Sequence, residues 1–219
     1  MKYFSLVDTL TYLIPGGVVL LALRAGGLFD GLGASVFPEE TTIRVSACLV
    51  AAFLVGFVMH YPATLVGRLV LRILGNPSAY LLATEKSSHC RVVTSIRCDF
   101  PEDYRKNLQE ALAKHWHRQV EGTKYSYGQY YALCEALMED SYPNAWSIHE
   151  RFYTAANLSR AMILPALLLG LMLLKFSLLI AVIVVASSFV FAYRFFTLLL
   201  AATKQVLNTF YLHEIAKTK

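Results

Sequence analysis

The chain has 219 residues, of which 56% are hydrophobic and 16% charged, and its formal net charge is +5. Soluble domains carry about 25% charged residues, so this composition excludes an ordinary water-soluble globule. The modest positive balance suits anionic lipid head groups and makes no independent case for nucleic acid.

The amino terminus reads MKYFSLVDTLTYLIPGGVVLLALRAGG. Its basic region is a single lysine, Asp8 interrupts the start, and no clean small-x-small cleavage site follows. The segment therefore reads as a retained membrane span over 6–23 rather than a cleaved signal peptide. Pro15-Gly16-Gly17 can kink that helix or admit a close neighbour. The same residues could instead mark an interfacial turn, which would move the span toward Leu28.

A glycine- and acid-rich linker leads to a second span over 45–67, which contains no Asp, Glu, Lys or Arg. Its helix is expected to run on to Leu74, where Arg68 and Arg72 stand one turn apart and can snorkel to phosphates. Gly75-Asn76-Pro77 ends it.

The segment 75–160 predicts a small helical layer. Arg91 to Ile96 has strand character but is too short to support a sheet alone. Pro101-Glu102-Asp103 reads as a helix start, with Tyr104, Leu108 and Leu112 recurring on one face through about Val120. A second amphipathic helix carries Tyr127, Tyr130, Tyr131, Cys134, Leu137 and Met138, and Tyr142-Pro143-Asn144 breaks it. A third starts near Ala145 and continues through Arg160 into the next span. Such a layer buries little core by itself, so help from the bundle or from sister subunits is expected.

The run Ala161–Thr203 holds two basic residues, Lys175 and Arg194, and no acidic one. One helix of that length would far exceed a bilayer core, which takes about 20 residues. The run therefore reads as two spans turning near Lys175. Arg194 then falls near the inner interface, where it can snorkel, or inside the bilayer facing a bundle interior or pore. Asp8 is its natural partner.

The resulting fold class is an all-α membrane protein. Four transmembrane helices form two hairpins, one within 1–74 and one within 161–219, around the cytosolic insert 75–160. Charge asymmetry orients it. The linker over 25–43 holds Asp30, Glu39 and Glu40 and no basic residue, while Arg68, Arg72, Arg151 and Arg160 flank the central segment. The positive-inside rule then puts both termini and the insert in the cytoplasm, for a multi-pass protein of the inner membrane. Cys90, Cys98 and Cys134 fall on the cytosolic side, where disulfides are uncommon.

Catalytic patterns are scarce. His89, Cys90, Cys98, His115 and His117 match no usual zinc spacing, and His115 and His117 point to different helix faces, so no metal is expected. The chain has no G-x-S-x-G, no Walker loop and no G-x-G-x-x-G. No catalytic residue and no cofactor are assigned. The tyrosines between Tyr125 and Tyr153 read first as core and interface packing. A nucleotide stacked on them is the sharper alternative, with Arg118, Lys124, Tyr127, Tyr131 and Arg151 as its candidate ligand-binding set.

The opening FSLVDTLTYLIPGGVVLLAL resembles small bacterial multi-spanning inner-membrane proteins associated with anti-phage defence. So does the pattern Tyr130-Tyr131 and Glu150-Arg151-Phe152 ahead of Arg160. The resemblance covers layout and short pieces, and transfers no catalytic residue. It implies a non-enzymatic component that oligomerises, contacts lipids, and either anchors a cytosolic protein partner or perturbs the membrane. The alternative is a membrane-bound hydrolase acting on lipid or nucleotide.

Overall fold

The computed structural model describes residues 6–27, 41–82, 100–117 and 127–218. Among them it contains seven helices and no strand: α1 (Leu6–Ala25), α2 (Thr41–Leu74), α3 (Pro77–Leu82), α4 (Glu102–His117), α5 (Tyr127–Ser141), α6 (Pro143–Leu173) and α7 (Leu178–Thr218). The expected strand over 91–96 lies outside the described residues. Three helices are long and apolar enough to cross a membrane, over Val45–Leu74, Pro143–Leu173 and Leu178–Ala216. The expected first span is a shorter apolar helix, Thr9–Ala25.

The helix boundaries follow local chemistry. Gly75 adopts φ 94°, and its N–H donates to the Leu71 carbonyl at 2.9 Å, closing α2 with a left-handed cap that a side chain would resist. The Asn76 side chain then accepts from the Ser78 N–H at 3.1 Å, capping α3, with Pro77 at its first position. Glu102 and Asp103 occupy the first turn of α4, where they favour the positive end of the helix dipole. α6 runs unbroken from Pro143 to Leu173 with Pro165 inside it, as the absence of an earlier breaker predicts. The turn at Lys175 separates α6 from α7.

The chain divides into two compact units. The first comprises Met1–Leu69 and Thr154–Phe195, the second Val70–Tyr153 and Phe196–Lys219.

In the first unit, α1 and α2 pack backbone to backbone. A Cβ on Gly16 would land on the Ala52 carbonyl oxygen and lie 2.7 Å from the Gly56 nitrogen, and one on Gly56 would land on the Tyr12 carbonyl oxygen. The glycines thus serve close approach, the second of the two roles expected for Pro15-Gly16-Gly17, and α1 runs through them without a turn. The Tyr12 ring then packs against Phe53, Phe57 and His60, with centroids 5.7, 5.9 and 5.6 Å away. On the outside of α2, Leu54, Phe57, Val58, Tyr61 and Leu65 are exposed at helical spacing. Leu179, Val182, Ile183, Phe189 and Val190 are likewise exposed on α7. Exposed apolar faces this extensive are stable against lipid, not water.

In the second unit, Leu81, Leu82, Phe100, Leu108, Leu112, Cys134 and Met138 form a core with Phe196, Leu200, Val206, Leu207 and Phe210 of α7. That stripe on α7 has helical periodicity and supplies the help the small helical layer was expected to need. The apolar run Ala161–Thr203 therefore has two different uses: up to Phe195 it belongs to the first unit, and from Phe196 it belongs to this core.

Candidate functional site

The polar chemistry of the second unit gathers where α5, α6 and α7 meet. His149, on α6, is 1% exposed. Its Nε2 lies 3.0 Å from Glu135 Oε1 on α5, and its Nδ1 lies 3.3 Å from the Ala202 carbonyl on α7. The imidazole sits between the rings of Trp146 and Tyr153, with centroids 5.0 and 5.8 Å away. These residues stand three before and four after it, the spacing that stacks side chains on one helix face. The Tyr131 hydroxyl donates to the same Glu135 Oε1 at 3.5 Å. Burial first, and then the Glu135 carboxylate, hold the Tyr131 phenol well above its usual range.

A second group ties down the end of α7. His115 Nδ1, on α4, lies 2.9 Å from Glu214 Oε1, and its ring meets Phe210 edge-on at 5.5 Å. The Tyr142 hydroxyl meets His213 Nδ1. The Tyr104 hydroxyl donates to Asn208 Oδ1 at 2.7 Å, and burial pushes its phenol up to about 12. Cys134 is fully buried, and burial, followed by the Glu214 charge, pushes its thiol up to about 12. Such a thiol is a poor nucleophile. Among the described residues, no three His, Cys, Asp or Glu side chains converge as metal ligands would.

The candidate ligand set is described only in part. Arg118 and Lys124 lie outside the described residues. Tyr127 opens α5, with its side chain outside them too. Tyr131 is committed to Glu135, and Arg151 is exposed on α6. Tyr130, Tyr131, Tyr142 and Trp146 pack against the core, in line with the packing reading of the tyrosines.

Of the membrane-flanking charges, Asp8 lies on α1 with its side chain outside the described residues, so its pairing with Arg194 stays an expectation. Arg68 and Arg72 are exposed on α2, and Arg194 is exposed on α7. Arg160 is half-buried on α6 and runs across Gly67: a Cβ there would lie 2.5 Å from Arg160 Cδ and 3.6 Å from Phe195 Cζ. Four hydroxyls in the same unit bond within their own helices. Thr64 donates to the His60 carbonyl at 2.9 Å, Ser159 to Ala155 at 2.9 Å, and Ser187 and Ser188 to Val184 and Val185 at 2.6 Å.

Sequence reasoning singled out neither the pairing of His149 with Glu135 nor the seating of Arg160 on Gly67. The spacing of Trp146, His149 and Tyr153 signalled only a ring stack along α6, not the Glu135 contact; a glycine in an apolar helix carried no signal for the second. Compared with known proteins, the chain matches no protein family, no curated protein and no solved structure.

Proposed function

We propose that this chain is a non-enzymatic membrane component of a bacterial defence or stress system, of the anti-phage kind, which oligomerises and anchors a cytosolic protein partner. In this reading α1, α2, α6 and α7 are four spans arranged as two hairpins in the inner membrane, with both termini and the second unit in the cytoplasm. The observation that carries it is the contrast between the units. The first turns apolar faces of α2 and α7 outward and closes the hydroxyls of Thr64, Ser187 and Ser188 onto its own backbone. The second has its own packed core and polar ties. Hydroxyls already bonded to their own helix backbone are weak candidates for a hydrophilic lining, which favours an anchor over the membrane-perturbing alternative. The polar groups of the second unit are engaged with one another, and its buried thiol is held protonated, which favours a binding module over a hydrolase.

The test is expression with the neighbouring genes in cells challenged with phage, while membrane potential and dye entry are recorded. Protection that needs both this chain and a soluble neighbour, with the potential intact before lysis, is the expected result. Depolarisation caused by this chain alone would overturn the anchor reading in favour of a pore.

A further inference from the structure

We propose that Arg68, Arg160 and Arg194 form one belt that binds the phosphates of anionic phospholipids. The belt would set the depth of the first unit in the inner leaflet. This rests on the membrane reading above and adds to it a ligand class and a level.

Three helices of the first unit come together at Gly67. Arg160 of α6 lays its aliphatic stem where a Cβ of that residue would stand, and the Phe195 ring of α7 closes the same spot. The neighbours of those contact points in sequence, Arg68 and Arg194, are both exposed. Arg160 at this crossing, with Arg68 and Arg194 one residue from its contact points, thus puts three arginines of three helices at about the level of one crossing. Guanidinium is the side chain best matched to a phosphate, because its planar fork donates two parallel hydrogen bonds.

The level is independently right for a head group. Large apolar side chains are exposed along α7 from Leu178 to Tyr193, no residue from Phe195 to Tyr211 is exposed, and exposed apolar residues recur only at Leu212 and Ile215 near its end. The continuous exposed apolar face of α7 is therefore interrupted at Arg194. Between Leu178 and Arg194 the helix rises about 24 Å. With the Lys175 turn added, that approaches the ~30 Å hydrocarbon core. Lys175 and Arg194 thus bracket a single bilayer crossing. Arg160 is nearer to Lys175 along α6, and Cβ atoms tilt toward a helix's amino terminus. Its side chain can therefore descend past Gly67 to reach the same layer.

The test is native mass spectrometry of the full chain in detergent, titrated with phosphatidylglycerol or phosphatidylcholine. The expected result is preferential retention of phosphatidylglycerol, reduced about fivefold for each of Arg68→Gln and Arg194→Gln. Both residues are exposed, so folding should survive. The charge-matched single controls Lys106→Gln and Lys114→Gln, both exposed on α4, should each retain the lipid unchanged. Equal retention of the two lipids by the wild type overturns the belt whether or not any variant folds. Equal loss in the controls also overturns it, by showing a net-charge effect. Displacement of the lipid by millimolar inorganic phosphate would identify a free-anion site instead, which again overturns it. Extraction of the chain from membranes by alkaline carbonate would defeat the membrane reading itself. Resistance to carbonate without lipid preference defeats the belt alone.

Discussion

At the scale of single residues, His149 and Cys134 carry the clearest consequences. His149 ties α6 to two other helices, α5 through Glu135 and α7 through the Ala202 carbonyl, and lies between two aromatic rings of its own helix. Replacing it with alanine leaves a cavity and strips a carboxylate of its partner. His149→Ala is therefore expected to cost about 2–4 kcal/mol, seen as a lower melting temperature in detergent. An unchanged melt would show that the contact is dispensable. Cys134 should resist maleimide in the native protein at pH 8 and react once unfolded, in a chain with Cys48, Cys90 and Cys98 replaced. The sign of its pH dependence follows from the raised pKa. The folded state holds its proton to about pH 12 while the unfolded thiol ionises near 9. Its contribution is therefore complete below pH 9 and is lost as pH rises from 9 toward 12. The melting temperature should fall across that window, and fall less in Cys134→Ala.

At the scale of elements, two neighbouring glycines in α1 give opposite predictions. Gly16 faces the α2 backbone, whereas a Cβ on Gly17 meets nothing within 4 Å. Gly16→Leu must push α1 from α2 and should abolish monodisperse behaviour in detergent gel filtration. Gly17→Ala should be neutral or stabilise by about 0.5–1 kcal/mol through helix propensity. If both variants behave alike, the α1–α2 crossing is not as described. The end of α2 and the starts of α4 and α6 were legible in the sequence, because Gly75-Asn76-Pro77, Pro101-Glu102-Asp103 and Tyr142-Pro143 act locally, whereas the short α3 was not expected. The crossing was not legible, because Gly16 and Gly17 read identically until a second helix selects one of them. The polar tie was hidden for a related reason: nothing in the sequence brings Glu135 to a histidine on the next helix.

At the scale of the whole molecule, the orientation remains the proposal with the most direct check. Reporter fusions that are active only outside the cytoplasm should be silent at both termini and in the segment between α4 and α5, and active in the segment between α1 and α2. Activity at either terminus would break the four-span arrangement. A three-span chain would separate the termini, which makes the pair of fusions decisive about α1. That helix is the shorter apolar one, so its crossing has the least margin in length.

The sequence by itself determined that this protein is helical and apolar enough for a membrane, where several of its helices start or end, and that its charges cluster at span ends. These are properties of composition, periodicity and short-range capping, which act within a few residues. Only the tertiary structure decided what each apolar stretch is for. Leu179 and Phe210 are equally hydrophobic, yet one is exposed on the first unit and the other is buried in the core of the second. Hydrophobicity measures a preference to leave water. Whether lipid or protein receives the side chain depends on which helices stand beside it. The same holds for Arg160, whose place across Gly67 follows from a neighbour distant in the chain.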